Sequence, residues 1–154
     1  MATQKKTELK RQLLQECLRI QNQQISAAKI AMDEAQESAN EHHGAIEDKF
    51  ESFREACQIQ RDMFARQLDE AMSVYHILKR INSTKENGEI MLGTVVETDN
   101  QDFFVSASLG AIQVANKTYF AISAMSPLFK AMAGKNIGES FALRDKQYKI
   151  KNIY

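Results

Sequence analysis

The sequence predicts an α+β chain. An N-terminal antiparallel helical hairpin, residues 1–83, precedes a small antiparallel sheet domain with one helix, residues 88–154. Three observations carry this. Gly44 is the only glycine before residue 88, and that stretch has no proline; the other five glycines and Pro127 all follow. The first part therefore lacks helix breakers, and the second is punctuated like a sheet with turns. Apolar residues repeat at helical spacing along two stretches on either side of Gly44. After Gly88 the pattern shortens into runs rich in aromatic and β-branched residues. The boundary falls in "NSTKENGE", residues 82–89.

The first stretch offers Leu14, Leu18, Ile25, Ala28, Met32, Ala35 and Ala39. The second offers Phe50, Phe53, Cys57, Phe64, Leu68, Ala71, Tyr75 and Leu78. Both are heptad-like seams, and neither is stable alone in water with its apolar stripe exposed. Folding back at Gly44 lets each stripe cover the other. Helices are expected near residues 4–40 and 45–81, with the bend at His42 to Ala45. The expected core includes Leu18, Ile25, Phe53, Cys57, Phe64 and Leu68. Residues 6–41 would make an arm roughly 54 Å long at about 1.5 Å per residue.

Charge is uneven along that arm. Residues 33–55 hold eight acids (Asp33, Glu34, Glu37, Glu41, Glu47, Asp48, Glu51 and Glu55) against Lys49 and Arg54, a net −6. Residues 1–32 carry a net +4. Charged helix faces commonly do no more than solvate. Glu47 and Asp48 also suit the start of the second helix, where the dipole favours negative charge. Glu34 and Glu37 sit near the end of the first helix, which the dipole disfavours. Acids gathered at a narrow tip fit delivery of carboxylates to a basic or metal-containing site. Glu41, His42 and His43 could ligate a metal, but adjacent side chains diverge and no third ligand is evident. They read better as solvated bend residues.

The totals exclude several classes. Formal net charge is zero, so no global field points to nucleic acid or membrane. No run of apolar residues is long enough to span a membrane. The start "MATQKKTELKRQ" has basic residues without an apolar run behind them, so a cytoplasmic location is expected. Cys17 and Cys57 lack metal-ligand spacing and fit apolar helix positions. In a hairpin bent near Gly44 they lie roughly 20 Å apart at helical rise, too far for a disulfide.

In the second part, "EIMLGTVVET", "DFFVSA", "AIQVA", "TYFAISA", "SFALR" and "QYKIKNIY" read as strands. One helix interrupts them in "SPLFKAMAG": Ser126 caps it, Pro127 takes its first position, and Gly134 ends it.

The segment "ISAMSPLFKAMAGKNIGESF", Ile122 to Phe141, resembles the C-terminal signature of the Gre transcript-cleavage factors, the GreA/GreB type. The match runs through Ile122, Ser123, Ser126, Pro127, Leu128, Ala131, Gly134, Lys135 and Gly138, with Glu139 where the family usually has Asp. The ending "YKIKNIY" and the order of parts, coiled coil then FKBP-like domain, agree as well. The resemblance implies a transcription elongation factor that binds core RNA polymerase. The globular domain would dock at the rim of the secondary channel, with Ser126, Pro127, Lys130 and Lys135 as candidate contacts. The coiled coil would enter the channel and meet nascent RNA only indirectly. The tip acids, here Asp48, Glu47 and Glu41, would help hold a catalytic Mg²⁺ shared with the polymerase. The factor would not be an enzyme by itself and would have no cofactor of its own. At the tip this sequence departs from the family pattern. With Phe50 in the place of the family's tyrosine, the family's Glu falls on Ile46 and its Asp on His43. The same architecture therefore also suits a channel-binding regulator without cleavage activity.

Two rivals belong to other classes. A prolyl isomerase would need a deep aromatic-lined pocket, but the chain has no Trp and its sheet-domain aromatics suit a core. A structural coiled-coil adaptor would need no polymerase.

Overall fold

The computed structural model describes residues 2–41 and 48–154. Helices α1 (Ala2–Glu41) and α2 (Asp48–Lys79) are followed by strands β1 (Val95–Thr98), β2 (Asp102–Ser106), β3 (Gly110–Val114) and β4 (Lys117–Ser123). Helix α3 (Pro127–Met132) then leads to β5 (Ser140–Leu143) and β6 (Lys146–Ile153). This is the expected class: a long helical hairpin, then a sheet domain with one helix. The expected bend, His42 to Ala45, lies outside the described residues. The chain divides into two compact units. One is Gln21–Tyr75; the other joins the start of α1, up to Ile20, to His76–Tyr154.

In the Gln21–Tyr75 unit the seam is built on small residues. Ala28, Ala35, Ala39, Cys57 and Ala71 are buried. Ile25, Phe64 and Leu68, all expected in the core, are only half-buried. Phe53 corrects the expectation outright, being 44% exposed. A two-helix hairpin covers each stripe from one side only. An alanine fits wholly beneath that contact, whereas a phenyl ring extends past its edge. Gln21 is 1% exposed, and its Nε2 donates to the Ala71 carbonyl at 2.8 Å. That bond satisfies an amide that would otherwise be costly to bury.

In the other unit α1 is turned by one residue from the expected seam. Leu13 and Cys17 are fully buried, while Leu14 and Leu18 are half-buried. The cause is the sheet. Cys17 Sγ lies 3.7 Å from Ser106 Oγ of β2, so this part of α1 is covered by strands. Leu78 of α2 and Ile81, just beyond the end of that helix, are buried as well. Both cysteines are free, as expected.

The six strands run β3-β4-β2-β1-β6-β5. The sheet was expected to be antiparallel and is mixed, because β2 and β4 pair in parallel from Asp102↔Tyr119 to Ser106↔Ser123. The chain leaves β2, runs back along β3, and turns again at Ala115–Asn116. It then inserts β4 between β3 and β2, so two reversals restore the direction of β2. Ala115 (φ 53°) and Asn116 (φ 63°) are the two left-handed residues of a tight hairpin turn. All five residues of β2 are buried, which requires both sheet faces to be covered. On one face Val96, Phe103, Val105, Ile122 and Ile150 pack with Met132, Phe141 and Tyr148. There the Phe103 and Tyr148 rings meet edge-on at 5.6 Å, and Phe141 stacks on Tyr148 at 5.0 Å.

The connection from α2 to β1 is held by Thr94, whose Oγ1 accepts from Met91 N at 3.1 Å and donates to the Glu89 carbonyl at 2.9 Å. Gly93 beside it has φ +91°, and an added Cβ would meet Ile81 Cγ2 at 3.0 Å. Glycine is needed there both for its backbone and for its missing side chain.

Candidate functional site

The sheet-domain candidate is the segment around α3. Ser126 is the N-cap, with extended backbone (φ −74°, ψ 154°). Its Oγ accepts from Phe129 N at 3.1 Å and donates to the Ser123 carbonyl at 2.7 Å. Met125 N donates to Ser123 Oγ at 3.0 Å. Pro127 occupies the first turn, where its missing N–H costs nothing. Ala133 N donates to the Phe129 carbonyl, and Gly134 follows at φ +77°. Gly138, at φ +91°, donates its N–H to the Ile150 carbonyl at 2.8 Å. Glu139 Oε1 accepts from both Asn136 N and Asn136 Nδ2. Most of the signature positions thus shape this segment's own backbone.

The side chains left over face outward. Met125 is 83% exposed and Ile137 58% exposed, alongside Ile59 (68%) and Ile30 (58%) of the helices. Lys130 is exposed in the last turn of α3, and Lys135 is half-exposed. The structure therefore gathers Ser126, Pro127, Lys130 and Lys135 on one short segment and adds Met125 and Ile137. Sequence reasoning missed those two because an apolar residue beside a strand or turn reads as core.

At the other candidate, Glu41 is the exposed last residue of α1, and Asp48 is the first residue of α2. Glu47 lies outside the described residues, as do His42, His43 and Ile46. Among the described residues no three His, Cys, Asp or Glu side chains come together as a metal site. No helix among them is long and apolar enough to cross a membrane.

Two charged constellations were not foreseen. Lys10 is fully buried, its Nζ donating to the Lys85 carbonyl at 2.6 Å. Burial pushes its pKa down to about 8, against a smaller opposing pull from Glu86. Its spacing to Leu13 and Cys17, three then four residues, marked it as a seam position, but a lysine is normally read as surface. On the sheet, Lys117 Nζ lies 2.8 Å from Asp102 Oδ2 and 3.9 Å from Glu97 Oε2. Its bond to Asp102 raises the Lys117 pKa. Asp102 Oδ1 also accepts from Thr98 N at 3.2 Å. Lys117 thereby ties the β3–β4 turn to β1 and β2, and the group is internally satisfied. Burial, aided by Glu97, raises the Tyr154 hydroxyl pKa, and Lys6 Nζ lies 5.1 Å from the centre of that ring.

No protein-family model matches the chain. No curated protein matches it. Among solved structures it is similar to GreA factor homolog 1 (Gfh1) of Thermus thermophilus, at 21% identity and a TM-score of 0.37, covering 89% of this chain and 94% of that one. A second structure, of the transcription factor Gfh1, gives 21% identity and a TM-score of 0.36, covering 89% of this chain and 92% of that one.

Proposed function

We propose that this protein binds RNA polymerase and acts in transcription elongation by placing its helical hairpin in the polymerase's secondary channel. The observation that carries this reading is the segment Ile122–Phe141. It resembles the Gre signature residue by residue, and its capped α3 leaves Met125, Ile137 and Lys130 outward beside Ser126 and Pro127. Apolar anchors with a basic neighbour suit a protein partner. The hairpin adds a net charge of −6 over residues 33–55. In this reading Asp48, Glu47 and Glu41 present carboxylates to a Mg²⁺ that belongs to the polymerase. The polymerase, not this chain, then hydrolyses the backtracked transcript, with the metal activating water.

A second reading has one specific observation behind it. His43 and Ile46 stand where the family has acids, which favours occupation of the channel without cleavage. Stalled elongation complexes, incubated with and without the protein, test both readings. Under the first, transcripts shorten, and replacing Glu41, Glu47 and Asp48 together by alanine lowers the rate about a hundredfold, as loss of a positioned electrostatic group does, while polymerase binding persists. Binding without shortening supports the second reading, and His43→Asp with Ile46→Glu should then introduce cleavage. Absence of binding to core polymerase refutes both and leaves the coiled-coil adaptor.

A further inference from the structure

Strand β3 is an edge of the sheet, and it is unguarded. Its sequence, Gly-Ala-Ile-Gln-Val, has no charge, no proline and no bulge against β4. The opposite edge, β5, is shorter and runs directly into Arg144, Asp145 and Lys146. Natural sheets usually blunt their edges with charge or proline to prevent pairing with another chain.

The direction of the unused backbone groups follows from the turn. With two loop residues, Ala115 and Asn116, the flanking pair Val114↔Lys117 is hydrogen-bonded, and the pattern alternates from there. Gly110, Ile112 and Val114 therefore bond to β4. Ala111 and Gln113 turn their N–H and C=O groups outward, and both residues are exposed.

We propose that β3 pairs antiparallel with β3 of a second copy of this chain, forming a continuous sheet across a two-fold axis at Ile112. The strand is complementary to itself. Ala111 of one copy faces Gln113 of the other, and the reciprocal pair completes four backbone hydrogen bonds. No like charges oppose each other, because β3 carries none. The paired stretch ends within β3, because Gly110 (φ +79°) and Ala115 (φ 53°) leave the extended conformation on either side. The guarded β5 edge stops growth at two copies. An isologous contact of this kind closes by symmetry.

This inference is independent of the polymerase reading, and sedimentation velocity of the full chain tests it. Between about 10 and about 500 μM, the range where a small interface shows itself, the sedimentation coefficient should rise from monomer to dimer. Gln113→Pro removes an outward N–H without touching the ladder to β4, a substitution that edge strands tolerate. It deletes two of the four bonds and should weaken dimerisation at least about tenfold, with an unchanged circular dichroism spectrum. A charge pair controls for any fold defect. Ala111→Lys with Gln113→Lys should abolish the dimer, while Ala111→Lys with Gln113→Glu, which sets Lys against Glu across the axis, should retain it. A protein that stays monomeric throughout, a dimer unaffected by Gln113→Pro, open-ended polymers, or identical behaviour of the two charge variants would each overturn the proposal.

Discussion

Replacing Lys10 by methionine should stabilise the protein at neutral pH, and the gain should disappear at high pH. Lys10 is fully buried with one hydrogen bond from its ammonium, to the Lys85 carbonyl. Its pKa falls from 10.5 to about 8 in the folded chain. At about 1.36 kcal/mol per pKa unit, keeping that charge buried costs about 3 kcal/mol. Methionine has a similar unbranched stem and avoids the charge. It leaves the Lys85 carbonyl without its donor, which costs about 1 to 3 kcal/mol. The expected balance at pH 7 is a gain of about 1 kcal/mol for Lys10→Met. The sign with pH follows from linkage. Between pH 8 and 10.5 the unfolded chain holds the Lys10 proton more tightly than the folded one, so stability of the parent protein rises with pH across that window. Cys17, whose pKa burial raises to about 11, and Tyr154, also raised, pull the other way above pH 9. Both residues remain in the variant, so their effects cancel in the difference. Urea unfolding of both proteins at pH 7, 8, 9 and 10 should show the variant's advantage shrinking by about 2.5 kcal/mol and changing sign. A difference independent of pH would refute the reasoning, because the ammonium would then be solvated in the folded state.

Gly93→Ala should destabilise by about 2 kcal/mol or more, read as a fall in the thermal midpoint, since φ +91° and the 3.0 Å approach of Ile81 act together. Ser126→Ala removes the cap bond to Phe129 N and the donor to the Ser123 carbonyl; a loss of about 1 kcal/mol is expected by urea titration. Phe64→Ala should cost about 2 kcal/mol by the same titration, below the about 3 to 5 kcal/mol of a fully buried ring, because Phe64 is half-exposed.

Local chemistry was legible in the sequence. A stretch of 87 residues with no proline and a single glycine can hold long helices on either side of that glycine. The start and stop of α3 were written in Ser126, Pro127 and Gly134, because capping depends on residues within one turn of each other. Three features needed the tertiary structure. Periodicity locates an apolar stripe only to within about one residue, roughly 100° of helix rotation. What covers the stripe then decides which side chains are dry. Near the sheet and the connection after α2, Leu13, Cys17 and even Lys10 go inside; where the two helices cover only each other, alanines do, and Phe53 stays wet. The parallel pairing of β2 with β4 was hidden because strand order is set by long-range insertion, which leaves no local pattern. The outward Met125 and Ile137 were hidden for the same reason: an apolar residue reveals its exposure only when its neighbours are in place.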